Sequence, residues 1–187
     1  WYYWINEREE SLMIIGPPKI EETINKVLDL ANTPKRMKSF HIDFYALKNI
    51  DKTQTIKKHN YTINAIKVNH LENSYAYRIE IIGIEDKSVC YTGDTKPIKG
   101  YINLFQNCNL LIHEATFPDE FQKLAHQLYH STPSDIAEIA IKIRCDKVAL
   151  VHISPSFYDQ INDFYKAVRK SFSGYIYIPD DMTEIEI

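Results

Sequence analysis

The chain has 187 residues, 44% hydrophobic and 12% aromatic, which is enough for one well-buried core and too short for two comfortable domains. Its formal net charge of −3 excludes the broad basic surface of a protein that neutralises many phosphates, so any contact with nucleic acid has to be local.

The opening WYYWINER is aromatic and charged and reads as the interior of a longer chain. Ser11–Ile15 is an apolar run ended by Gly16-Pro17-Pro18, a strand leading into a helix with Pro near its first turn. Ile20, Ile24, Val27, Leu28 and Leu30 recur at helical spacing to about Ala31. Residues 32–39 hold Pro34, Lys35, Arg36 and Lys38 and read as a surface loop. Strand-like runs follow over Phe40–Leu47, Tyr61–Val68, Tyr75–Ile84 and Ser88–Thr92, with Glu85-Asp86-Lys87 as the turn of a hairpin between the last two.

After Asp94 the pattern changes to alternating helix and strand. Lys99–Gln106 reads as helix, Asn109–Ile112 as buried strand and Glu120–Leu128 as helix. Thr132-Pro133-Ser134-Asp135 has the chemistry of a helix start, with a hydroxyl cap, Pro at the first position and an acid in the first turn. Ile136, Ala137, Ile139, Ala140 and Ile143 supply that helix's buried face. Lys147–Val151 is a strand, Phe157–Ser171 a helix, and Tyr175–Ile178 and Thr183–Ile187 are closing strands. Meandering strands followed by β-α-β alternation predict a sheet sandwich flanked by helices.

Cys90, Cys108 and Cys145 are unclustered, which excludes a disulfide framework and a thiolate zinc site and predicts buried free thiols. No apolar run approaches the roughly 18 residues of a membrane span, so a cytoplasmic protein without membrane contact is expected.

Of the seven histidines, several stand where strands end. His70 follows the strand Tyr61–Val68, His113-Glu114 ends the run LLI, and His152 ends KVALV. Asp94 closes a strand inside YTGDT, and His130 precedes a helix cap. Loop tips beyond buried strands are where a rigid scaffold presents reactive groups, and mixed imidazole and carboxylate donors suit Zn²⁺ or Mn²⁺. Taken singly, a histidine at a strand end is more often a hydrogen-bonded structural group, and Gly93-Asp94-Thr95 is equally a turn that caps the helix after it. His41, His59 and His126 lack such placement and read as surface or structural.

Taken in order, NHLENSYAYRIE, YTGDT, LLIHEATF, YHSTPSDIAEIA and LVHISPSF resemble the ribonuclease Z branch of the metallo-β-lactamase superfamily, and the tail IPDDMTEIEI is similar to that family's closing form. The resemblance implies an α/β (α+β sandwich) fold of the αββα kind, as one domain over residues 1–187, incomplete at its N-terminal side. It implies that His70 ligates one metal, Asp94 bridges two and His152 ligates the second, with zinc as the expected pair of ions and manganese or iron as alternatives. His130 resembles the family's catalytic histidine, which protonates the leaving oxygen or steadies the charged transition state. Glu114 resembles the acid that orients it. The implied substrate is a phosphodiester such as precursor transfer RNA, and the implied assembly is a homodimer, with Trp1–Trp4 either at that contact or in the core.

Three departures accompany the match. The family's His-x-His-x-Asp-His motif, which supplies most of its ligands, is expected before residue 1. The transfer-RNA-gripping arm is replaced by a plain hairpin, since ten residues separate Glu80 from Tyr91. No Arg follows the last ligand loop in Ser154-Pro155-Ser156-Phe157. A hydrolase of a small phosphodiester or ester therefore stands beside the RNA reading, and a non-catalytic binding module stands as a third. Lys35, Arg36 and Lys38 are either a substitute phosphate patch or a solvated loop.

Overall fold

The computed structural model of the protein describes residues 8–33, 40–83 and 87–187. Contacts divide the chain into two compact units, residues 1–50 and 51–187.

In the first unit, β1 (Leu12–Gly16) pairs in parallel with β2 (Ile42–Ala46). Parallel neighbours need a crossover, and α1 (Ile20–Leu30) supplies it at the position the apolar spacing predicts. Val27 and Leu30 of α1 remain exposed. Trp1–Trp4 and the basic triplet Lys35, Arg36 and Lys38 lie outside the described residues.

The second unit holds a seven-stranded mixed sheet ordered β3-β4-β5-β6-β7-β8-β9. Its first half is an antiparallel meander of β3 (Gln54–Lys58), β4 (Tyr61–Lys67), β5 (Tyr75–Ile81) and β6 (Lys87–Tyr91). Its second half is parallel, continuing from β6 through β7 (Leu110–Glu114), β8 (Lys147–Val151) and β9 (Tyr175–Tyr177). The crossovers carry α2 (Lys99–Leu104), α3 (Gln122–Gln127), α4 (Pro133–Ile143) and α5 (Ile161–Arg169).

Helix stripes and alternate strand residues meet in one core. Tyr101 and Phe105 follow from α2, Ile136, Ile139 and Ile143 from α4, and Phe164 and Val168 from α5. They close over Ala76, Cys90, Leu111, Val148 and Leu150, which face the helices from successive strands. The three cysteines are buried free thiols, as expected; hydrogen bonding to Cys108 and burial both push the Cys145 thiol pKa up. No helix among the described residues is long and apolar enough to cross a membrane.

The structure departs from the sequence reading in three places. β3 was not foreseen, because QTIKK buries only Ile56 and carries two lysines on an edge. The helix expected over Phe157–Ser171 opens as a 3-10 turn, Pro155–Gln160, before α5 begins. Thr183–Ile187 forms no strand; a side chain meets it there instead of a ladder, with Lys147 Nζ donating to the Glu186 carbonyl at 2.8 Å.

Leu150 is fully enclosed whereas Ile141 on α4 is half exposed. Urea denaturation should therefore show Leu150→Ala costing about 2–5 kcal/mol and Ile141→Ala costing much less. Equal losses would mean that the helix-facing side of β8 is not the core.

Candidate metal centre

The sheet's parallel strands end on one side in the loops after β6, β7 and β8, and each carries a polar side chain to a common point. At the end of β6, Gly93 takes φ +58, and a Cβ there would stand 3.3 Å from the Tyr75 carbonyl oxygen. Only glycine makes this turn without strain, and the turn delivers Asp94.

The two oxygens of Asp94 face different imidazoles. Oδ2 lies 3.9 Å from His70 Nε2, and Oδ1 lies 3.6 Å from His152 Nδ1. Both separations exceed a hydrogen bond, and the one to His70 Nε2 leaves room for a cation between two ligand atoms. His70 Nδ1 sits 3.4 Å from the Tyr129 carbonyl, which can only accept. The ring proton therefore belongs on Nδ1, and a bare Nε2 looks toward a carboxylate oxygen. Two lone-pair donors aimed at each other, with no proton between them, fit a cation.

Glu114 organises the centre from beneath. It ends β7, is 1% exposed, and its carboxylate accepts five hydrogen bonds. Oε1 accepts from Thr95 N at 3.0 Å, Ser131 N at 3.1 Å and His130 Nδ1 at 3.0 Å. Oε2 accepts from Thr116 N at 3.1 Å and Thr116 Oγ1 at 2.7 Å. A buried charge is tolerated only when so paired.

Thr116 Oγ1 also lies 3.1 Å from His130 Nδ1 and 2.9 Å from His152 Nδ1. Its single proton goes to the Glu114 carboxylate, the shortest and most negative partner. The hydroxyl must then accept from the imidazoles, so His152 carries its proton on Nδ1 and keeps Nε2 bare. His152 adopts φ 56 at the end of β8, a left-handed conformation of the kind that clusters at functional sites.

His130 stacks on His152 with ring centroids 5.8 Å apart and lies 4.8 Å from the His70 ring. Its loop is pinned by Ser131 Oγ donating to the Thr95 carbonyl at 2.7 Å. Beyond it, Thr132 N and Oγ1 both donate to Asp135 Oδ2, starting α4 as the cap chemistry predicts. Donor atoms of Glu114, His130 and His152 lie within 4.8 Å of one another.

The structure thus brings His70, Asp94, Glu114, His130 and His152 together. His113 goes elsewhere. Strand alternation turns it into the helix-side core, where its Nδ1 donates to the Glu114 carbonyl at 2.8 Å and its Nε2 accepts from Tyr101 Oη at 3.0 Å. Burial lowers the His113 pKa, opposed in part by the Glu114 charge. His126, read as structural, pairs with Asp135 at 2.8 Å. Thr95, Thr116 and Ser131 were not singled out from the sequence; the signal for Thr116 was its place two residues after Glu114, on the same side of the chain.

The family profile described as "Beta-lactamase superfamily domain" matches residues 5–153. Among curated proteins, the chain is 29% identical to the ribonuclease Z of Saccharolobus solfataricus over 214 aligned positions, covering 97% of this chain and 72% of that enzyme. It is 35% identical to the ribonuclease Z of Halalkalibacterium halodurans over 94 positions, 50% of this chain and 30% of that one. Among solved structures, the short form of human tRNase Z superposes with a TM-score of 0.72 at 20% identity, covering 94% of this chain and 67% of that chain. The metallo-beta-lactamase fold protein YhfI of Bacillus subtilis gives 0.70 at 24%, covering 90% and 62%. The fold is therefore the α/β sandwich expected from the sequence.

Two outcomes follow from the centre's buried groups. Glu114→Gln leaves donors facing an amide that cannot accept them all, so urea denaturation should show a loss of at least about 2–3 kcal/mol. Separately, the folded pKa of His113 lies below its unfolded value near 6.5, so its contribution is complete above that pH and is lost as pH falls. Stability should drop by up to about 1.4 kcal/mol per pH unit below it, more steeply in the parent than in His113→Gln. Parallel pH profiles for the two would refute this assignment.

Proposed function

The chain belongs to the beta-lactamase superfamily domain family, and on that premise we propose that it is a metal-dependent hydrolase of phosphodiester bonds, akin to ribonuclease Z. The family profile crosses both compact units, which supports reading them as parts of one hydrolase domain. The observation that carries the proposal is the carboxylate of Asp94, which faces the bare Nε2 of His70 at 3.9 Å with the His152 ring beside its other oxygen.

In this reading His70, Asp94 and His152 contribute ligands to a divalent-metal centre, zinc by ligand chemistry, with manganese or iron as alternatives. When bound, such ions supply an activated water and a polarised phosphoryl oxygen. The chain's own residues do the rest. Glu114 fixes the His130 ring by accepting from Nδ1, so that Nε2 is the nitrogen free to carry a proton. His130 is thereby placed to deliver a proton to the leaving oxygen, worth roughly 10²–10⁴-fold. Thr116 holds His130 and His152 at a fixed separation through one oxygen.

The ribonuclease Z relatives favour an RNA substrate, precursor transfer RNA in particular. A small phosphodiester or ester is the second reading, favoured by the direct β5–β6 hairpin and the net negative charge. Parallel assays on precursor transfer RNA and on bis(p-nitrophenyl) phosphate separate them; turnover of the small ester alone removes the RNA role.

The division of labour is also testable. In the complete protein, with the His-x-His-x-Asp-His motif present, Asp94→Ala and His152→Ala should each abolish turnover and lower metal content measured by mass spectrometry, whereas His130→Ala should abolish turnover and retain metal. An equal fall of metal in all three would make His130 a ligand.

A further inference from the structure

Beside the centre lies a pair of side chains that the hydrolytic reading leaves unused. Lys96 follows Asp94-Thr95 directly, and its ammonium sits 4.9 Å from the centroid of the Tyr129 ring. Tyr129 immediately precedes His130, and its carbonyl is the group that meets His70 Nδ1. Both side chains are thus tied by short stretches of backbone to site residues.

The backbone at each end is held. Thr95 Oγ1 donates to the Lys96 carbonyl at 2.8 Å, and Thr95 N is fixed by Glu114. Tyr129 takes φ 63 as the left-handed residue that ends α3, where His130 N donates to the Ala125 carbonyl at 2.8 Å. Tyr129 remains 43% exposed. No carboxylate among the described residues lies within ion-pair distance of the Lys96 ammonium. In a chain with more acids than bases, a cation beside the site, matched to an open aromatic face, is a specific feature.

We propose that Lys96 and Tyr129 form a nucleotide-binding rim on the His70–His130 side of the centre: the ammonium takes a phosphate neighbouring the bond cleaved, and the phenol ring stacks on the adjoining base. This rests on the phosphodiesterase reading and narrows its substrate to a polynucleotide strand. A phosphate needs a point cation and a base needs a π-face, and single strands are bound by that combination. A small dialkyl or diaryl phosphate offers no neighbouring phosphate and would not use Lys96.

The test is binding and turnover side by side. Fluorescence anisotropy with a labelled, fully phosphorothioate RNA oligonucleotide keeps the charge while resisting cleavage. Lys96→Met should weaken binding several-fold and flatten the dependence of log Kd on log salt by about 0.7, the signature of one lost contact on a single strand. Lys96→Arg should restore both. Tyr129→Leu should weaken binding roughly 5- to 100-fold with the salt slope unchanged, and Tyr129→Phe should restore it. In turnover, Lys96→Met should raise KM for an RNA oligonucleotide at least about tenfold more than for bis(p-nitrophenyl) phosphate.

Parent-like binding and slope in both Lys96→Met and Tyr129→Leu overturn the rim. So does equal binding of an acidic peptide of matched charge. If the parent hydrolyses the small ester and binds no RNA, the rim fails while the hydrolase reading stands. If it binds RNA through Lys96 and Tyr129 but hydrolyses neither substrate, the rim stands and the hydrolase reading fails.

Discussion

The buried carboxylate of Glu114 is the constraint on which the centre depends. Its five donors come from the loops after β6 and β7 and from the approach to α4, so one residue ties three segments that are remote in sequence. An uncompensated charge at that depth would cost more than a small domain can spare, which makes the arrangement close to all-or-none. With the charge satisfied, Thr116 has only one place to send its proton, and the tautomers of His130 and His152 follow. The geometry at the surface is thus set by bookkeeping of protons below it.

The scaffold explains why this point exists at all. Parallel strands β6, β7 and β8 all end on one side of the sheet, and their loops share a neighbourhood. Cys90, Leu111, Val148 and Leu150 hold those strands against α2, α4 and α5. Strand alternation then sends His113 inward and Glu114 toward the centre, so adjacent residues have opposite fates. The left-handed turns at Gly93 and His152 sit around the same centre. Such local strain persists where surrounding packing over-determines it.

Much of this was legible in the sequence. Helical spacing placed α1 and α4, the Thr132-Pro133-Ser134-Asp135 cap marked the start of α4 at the right residue, and the apolar runs located β7 and β8 to within two residues. The convergence of His70, Asp94, Glu114, His130 and His152 came from ordered motifs, since periodicity alone cannot bring remote residues together. What escaped was physical in kind. β3 is an edge strand whose side chains are mostly solvated, so no apolar pattern announces it. The closing strand at Thr183–Ile187 satisfied alternation, yet alternation cannot say whether a partner edge is open. Thr116 and Ser131 act through a single oxygen and a single N–H, and only coordinates show where those point.

The most direct test is anomalous scattering from zinc-loaded crystals. The account predicts an anomalous peak within about 2.0–2.2 Å of His70 Nε2 or His152, with an Asp94 oxygen at similar distance, and His130 hydrogen-bonded to Glu114 outside ligand range. A peak coordinated by Glu114 and His130 in place of Asp94, or no ordered ion near these side chains, would contradict it.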